Sequence, residues 1–89
     1  MKNYKFIVTG LVQGVYYRKS VKEACQKAGF NGYVKNLTNG DVEACVTCEE
    51  ELLKKFLKIL KSGSSSSIVK DITVSQIDNV FSGGFEIRY

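Results

Sequence analysis

The residues best suited to chemistry lie in the run GLVQGVYYR, Gly10 to Arg18. Upstream, Tyr4 to Thr9 is β-branched and aromatic, as a strand requires; downstream, Val21, Ala24, Cys25 and Ala28 recur at helical spacing. The two-glycine loop therefore opens onto a helix N-terminus. Amides in the first turn of a helix lack helical partners, and the dipole adds about half a positive charge there, so the junction suits an anion. Gly10 and Gly14 read as residues that let the backbone turn sharply and approach a ligand closely. Arg18 adds a permanently charged planar fork matched to two phosphate oxygens. Taken alone, Arg18 is an ordinary solvated residue at a helix start. A cation is poorly placed there, however, unless an anion sits beside it.

What the chain lacks narrows the chemistry further. There is no histidine, which removes Ser-His and Cys-His nucleophile pairs and the commonest general base. Cys45-Val46-Thr47-Cys48 has the spacing of a redox or metal motif, but residues three apart on a strand point to opposite faces. With one further cysteine and no histidine, a four-ligand nitrogen and sulfur zinc site cannot be completed, so no zinc or redox site is expected at this motif. Cys25 falls on the apolar stripe of its helix and reads as a small core residue. An odd count of three cysteines without a secretory signal points to free thiols in a reducing compartment, and a cytoplasmic location is expected. No segment approaches the roughly 20 apolar residues of a membrane span. The formal charge of +4 favours acidic small molecules and is also compatible with weak nucleic-acid binding.

The elements that must position these residues follow from the pattern of the chain. Eighty-nine residues suffice for a single domain, 1–89, with a modest core. A first strand is expected from Lys2 to Thr9, with Tyr4, Phe6 and Val8 on one face, and a helix from Tyr17 to Ala28 ended by Gly29. Asn31 to Asn36 reads as a second strand, Thr38-Asn39-Gly40 as a hairpin turn and Asp41 to Thr47 as a third strand. A second helix is expected from Glu49, with Leu52, Leu53, Phe56, Leu57 and Leu60 on one face; Thr47 and Glu50 have the spacing of a capping box. Its lysine-rich side reads as the solvated face of an amphipathic helix. Ser62 to Ser67 reads as a mobile loop. A fourth strand from Ile68 to Asp78 and a terminal strand from Phe85 to Tyr89 complete the order.

That order, βαββαβ plus a short C-terminal strand, predicts a ferredoxin-like α+β sandwich: an antiparallel sheet with two helices on one face. In the first half strands one and two run parallel with strand three between them, so the ends of both face the same edge of the sheet. The loop follows strand one and Asn36 ends strand two. Two inter-strand spacings separate them, roughly 10 Å, a gap that Arg18 and Asn36 could span around a phosphate. Taken alone, Asn36 is also a common residue before a turn.

Two stretches carry a resemblance to a known family. GLVQGVYYR resembles the acylphosphatase signature G-x-V-Q-G-V-x-[FY]-R, and GYVKNLTNGDVEA resembles its second signature, G-x-V-x-N-x-x-[DN]-G-x-V. The closing GFEIRY is also similar to that family, and the resemblance covers nearly the whole chain. It implies an enzyme that hydrolyses the carboxyl-phosphate bond of acyl phosphates without metal or cofactor. By motif position, Arg18 would bind the phosphate with the loop amides of Gln13, Gly14, Val15, Tyr16 and Tyr17, and Asn36 would position the attacking water. Inorganic phosphate or sulfate would compete with the small-molecule substrate. No nucleic-acid or membrane partner and a monomeric state are expected. The loop after the second helix often carries proline in relatives; here it is Ser64 to Ser67, and the chain has no proline. A similar domain also stands at the front of a large carbamoyl-transfer protein of hydrogenase maturation, but a chain of this length fits the small enzyme better. RNA-recognition domains share the βαββαβ order and stack bases on aromatics of the third strand, whereas Asp41 to Thr47 has none. Small-molecule regulatory modules of the same topology are the second alternative.

Overall fold

The computed structural model describes residues 1–89. The elements are β1 (Lys2–Leu11), α1 (Tyr17–Ala28), β2 (Asn31–Asn36), β3 (Val42–Cys48), α2 (Leu53–Ser62, preceded by a 3₁₀ turn at Glu50–Leu52), β4 (Ile68–Gln76) and β5 (Phe85–Arg88). They form one sheet in the order β4-β1-β3-β2-β5. β1 to β4 pair antiparallel, as the element order predicts; the short terminal strand differs, running parallel to β2.

Tyr4, Phe6 and Val8 of β1 and Val42, Ala44 and Val46 of β3 face the helices and are buried with Val21, Cys25, Phe56 and Leu60. Phe56 of α2 anchors this layer, its ring 5.3 Å from both Phe6 and Phe30 and 6.0 Å from Phe85. Burying such a side chain stabilises the fold by about 1.5–3 kcal/mol. The opposite face of the sheet is crossed by the segment between β4 and β5: Ile77 N–H donates to the Asn3 carbonyl, Phe81 N–H donates to Thr47 Oγ1, and Phe81 packs edge-on against Tyr33.

Three local expectations are corrected by tertiary contacts. Thr47 does not cap α2. It lies within β3, where its hydroxyl donates to Asn3 Oδ1 and accepts from Phe81 N–H, so the chain passes through extended Glu49 and a 3₁₀ turn before α2 begins. Ser62 still belongs to α2, and beyond it Ser64 to Ser67 form a tied turn: Ser67 Oγ accepts from Ser64 N–H and donates to the Ser64 carbonyl. Gly10 serves the sheet. It lies at a bulge between β1 and β4 with φ +126°, where an added Cβ would stand 2.2 Å from the Ile68 carbonyl oxygen, so it is the β4 backbone that requires glycine there. Cys45 and Cys48 diverge as the strand periodicity predicts, Cys48 joining the helix-side core and Cys45 lying outside that cluster; all three cysteines are free.

Candidate active site

The loop between β1 and α1 and the end of β2 meet through β3. Val8 and Asn36 are both register partners of Val42, so they flank it in one row, about 10 Å apart. Gln13 ties the two segments together: its Nε2 donates to the Leu37 carbonyl at 2.7 Å and to the Asp41 carbonyl at 2.8 Å. Those carbonyls bracket the hairpin turn, which is closed by Leu37 N–H to the Asp41 carbonyl and by Asn39 Oδ1 accepting from Asp41 N–H. The side chain of Gln13 is thus a clamp, and only its backbone is free to meet a ligand.

The helix start is unusual in composition and geometry. Tyr16, the residue before α1, is left-handed at φ 61° and ψ 21°, the one non-glycine residue with positive φ. No side chain caps this end and no acidic residue stands in the first turn, which carries Arg18 and Lys19 instead. The amides of Tyr17, Arg18 and Lys19 precede the first helical bond, Ser20 N–H to the Tyr16 carbonyl, and lack helical partners. A helix end with bare amides and two cations concentrates positive potential.

Gly14, Tyr16, Arg18, Lys19, Lys22 and Tyr89 line one cleft of about 560 Å³ at this helix end. Arg18 is half-buried and belongs to none of the three ion pairs in the molecule; its guanidinium carbon lies 5.1 Å from the centre of the Tyr89 ring. Gly14, at φ +71°, has nothing within 4 Å of an added Cβ, so the protein leaves that space open. A second groove, about 630 Å³, runs between the helices beside Lys54, Lys55 and Lys58, but no residue of the 10–18 loop lines it.

Tyr17 lines the cleft, yet its ring is buried and its hydroxyl donates to the Leu60 carbonyl at 2.7 Å. Burial, with a smaller contribution from Cys25, pushes its phenol pKa up, so it stays neutral. Val15 packs against the core, and its carbonyl accepts from Ser64 Oγ at 2.6 Å. Asn36 does not line the cleft with Arg18. Its carboxamide oxygen is buried at the end of β2, outside that cleft. Sequence reasoning missed the Gln13 clamp, the Ser64 contact and the stacking of Tyr89 on Arg18. All three join positions far apart in the chain, and no local spacing signals them. No three His, Cys, Asp or Glu side chains converge anywhere to hold a metal.

The acylphosphatase family model matches residues 4–87. The chain is 38% identical over 82 residues to the acylphosphatase of Haloarcula marismortui, covering 92% of this chain and 90% of that one. It is 34% identical over 88 residues to the acylphosphatase of Methanocella arvoryzae, covering 99% and 100%. The crystal structure of acylphosphatase from Bacillus subtilis superimposes with a TM-score of 0.91 at 37% identity over the whole of both chains. Full-length HypF contains the same fold in 12% of its chain, at 24% identity and a TM-score of 0.82. With a family model spanning the sheet and both helices, and relatives matched end to end, the chain belongs to the acylphosphatase family.

Proposed function

We propose that this protein hydrolyses the carboxyl-phosphate bond of acyl phosphates, holding the phosphoryl group in a cradle of the loop amides from Gln13 to Tyr17 and the Arg18 guanidinium. The observation that carries the cradle is the uncapped, cationic start of α1, with left-handed Tyr16 before it and Arg18 free of any carboxylate partner. Such an arrangement is electrostatically unfavourable until an anion occupies it. The family match supports the acyl phosphate as the substrate.

The leaving group is a carboxylate of low pKa, so bond cleavage needs little help from a general acid, which suits a chain without histidine. A water oxygen forms a bond to phosphorus on the side opposite the acyl oxygen. The phosphorus–acyl oxygen bond breaks, and its electron pair leaves on the carboxylate. The amides and Arg18 stabilise the charge on the equatorial oxygens of a loose transition state. Asn36, at the end of β2 beside the loop, is assigned to orient the water through its carboxamide. It is no base at neutral pH, since an amide does not take up a proton there. The water proton passes to a phosphoryl oxygen, giving inorganic phosphate and the free carboxylate.

The test is release of phosphate from benzoyl or acetyl phosphate by the purified protein after dialysis against a strong chelator. Undiminished turnover, inhibited competitively by inorganic phosphate, is expected. Activity lost on chelation and restored specifically by magnesium or zinc would overturn the mechanism, and no turnover of any acyl phosphate would overturn the function.

A further inference from the structure

The turn between α2 and β4 touches the loop at the start of α1 from two directions. Leu60, in the last turn of α2, accepts the Tyr17 hydroxyl at 2.7 Å through its carbonyl, and Ser64 Oγ donates to the Val15 carbonyl at 2.6 Å. Beyond the turn, Ile68 and Val69 pair with Leu11 and Gly10, just before the loop. Gly63, at φ +51°, fits tightly here: an added Cβ would stand 2.6 Å from both the Tyr17 ring and Ser67 Oγ. Ser64 and Ser67 are half-buried and bonded to each other, whereas Ser65 and Ser66 are exposed.

The Val15 carbonyl and the Tyr16 N–H belong to one peptide unit. In a planar trans peptide these two groups point in opposite directions, so a hydrogen bond that fixes the carbonyl also aims the amide. Tyr16 is the one strained non-glycine residue of the chain, and strained conformations persist only where the surroundings over-determine them. A rotation of this peptide would relieve Tyr16 and turn the Val15 carbonyl toward a bound anion, which it would repel. We propose that Ser64 is a positioning residue: its hydroxyl holds the Val15–Tyr16 peptide so that the Tyr16 amide faces the phosphoryl group. This rests on the cradle reading above. Ser64 touches no substrate and acts only through the loop.

The test compares wild type, Ser64→Ala and Ser64→Thr by nitrogen-15 relaxation of the Gly14 to Tyr17 amides and by the inhibition constant of inorganic phosphate against benzoyl phosphate. Wild-type amides are expected near the rigid order parameter of about 0.85. In Ser64→Ala those values fall, the phosphate inhibition constant rises about fivefold, as one lost hydrogen bond predicts, and turnover falls with it. Ser64→Thr keeps the hydroxyl and restores all three readings, which a generic loss of packing would not allow. If Ser64→Ala amides stay as rigid as wild type in a protein that binds phosphate normally, the brace is wrong and the cradle stands. If they loosen while phosphate binding is unchanged, the hydroxyl orders the loop without serving the site, and the proposal falls. If wild type itself neither binds phosphate nor turns over, the cradle reading fails and takes the role of Ser64 with it.

Discussion

Arg18→Ala should separate folding from function, because its two contributions to the unliganded fold nearly cancel. The side chain makes no ion pair, and its one recorded aromatic contact is the face of Tyr89, a residue 94% exposed. Losing a cation–π contact at such a site costs about 0.5–1 kcal/mol. Removing a cation from a helix N-terminus returns about 0.3–1 kcal/mol. In phosphate-free buffer the urea midpoint should therefore correspond to a stability within about 0.5 kcal/mol of wild type. With ligand present the balance changes. A lost charge-assisted contact to a phosphate costs about 1.5–3 kcal/mol, up to roughly a hundredfold in affinity. Phosphate at a hundred times the wild-type dissociation constant stabilises wild type by about 2.7 kcal/mol. A variant binding a hundredfold more weakly gains only about 0.4 kcal/mol at the same concentration. Turnover should fall by about 10² or more, and Arg18→Lys should not recover it, since one ammonium cannot reproduce the planar fork. The assay is urea unfolding of both proteins with and without phosphate, beside the turnover number on benzoyl phosphate. A variant that loses more than about 1.5 kcal/mol without phosphate, or that keeps the full stabilisation with it, would refute this account of Arg18.

Asn36→Ala should abolish most turnover while leaving the phosphate inhibition constant close to wild type, because it removes a contact made to water and not to the phosphoryl group; equal weakening of phosphate binding would put Asn36 in the cradle. Alkaline stability tests the buried thiols: burial pushes Cys25 up to about 12 and raises Cys45 and Cys48 as well. The unfolded chain then loses the Cys25 proton first, so the stability this thiol contributes is complete below its ordinary value of 9.0 and falls as pH rises from there toward 12, by about 1.4 kcal/mol per pH unit. Cys25→Ala should reduce that slope by one thiol's share in urea melts between pH 9 and 11; an unchanged slope would contradict the assignment.

The boundaries of α1 and β2 were legible because their signals are local. Gly29 ends α1 in the left-handed conformation at φ +79°, its N–H donating to the Gln26 carbonyl, and the Asn39–Gly40 turn returns β2 into β3 with Gly40 at φ +96°. The meeting of the loop with the end of β2 also followed from order alone, since a split βαβ unit sends both strand ends to one edge. Errors arose where a residue with a plausible local use was taken by a distant partner. The Thr47 hydroxyl is spent on Asn3 and Phe81 and so cannot cap a helix. The serines after α2 have the composition of a mobile loop, yet one of them bonds to Val15, 49 positions away. Gly10 looks like part of a ligand loop and is required instead by the backbone of β4.

These distant bonds bear on why such a small site can be stiff. A cradle of amides stabilises developing charge well only if its dipoles are already oriented, because reorienting them during the reaction would use up the gain. Loops ordinarily lack that rigidity. Here the loop is gripped on separate sides: Gln13 by the two carbonyls of the β2–β3 hairpin, Val15 by Ser64, and Tyr17 by the end of α2. The middle residue, Tyr16, is left as the strained member between two tethered neighbours. The hairpin that holds Gln13 also follows directly from Asn36, so a displacement of the cradle is transmitted to the residue assigned to the water. In-line attack depends on that separation, and misplacing reacting groups by about 1 Å can cost a hundredfold in rate. The clamp therefore sets the distance between the two halves of the proposed chemistry, a task that neither Arg18 nor Asn36 can perform for itself.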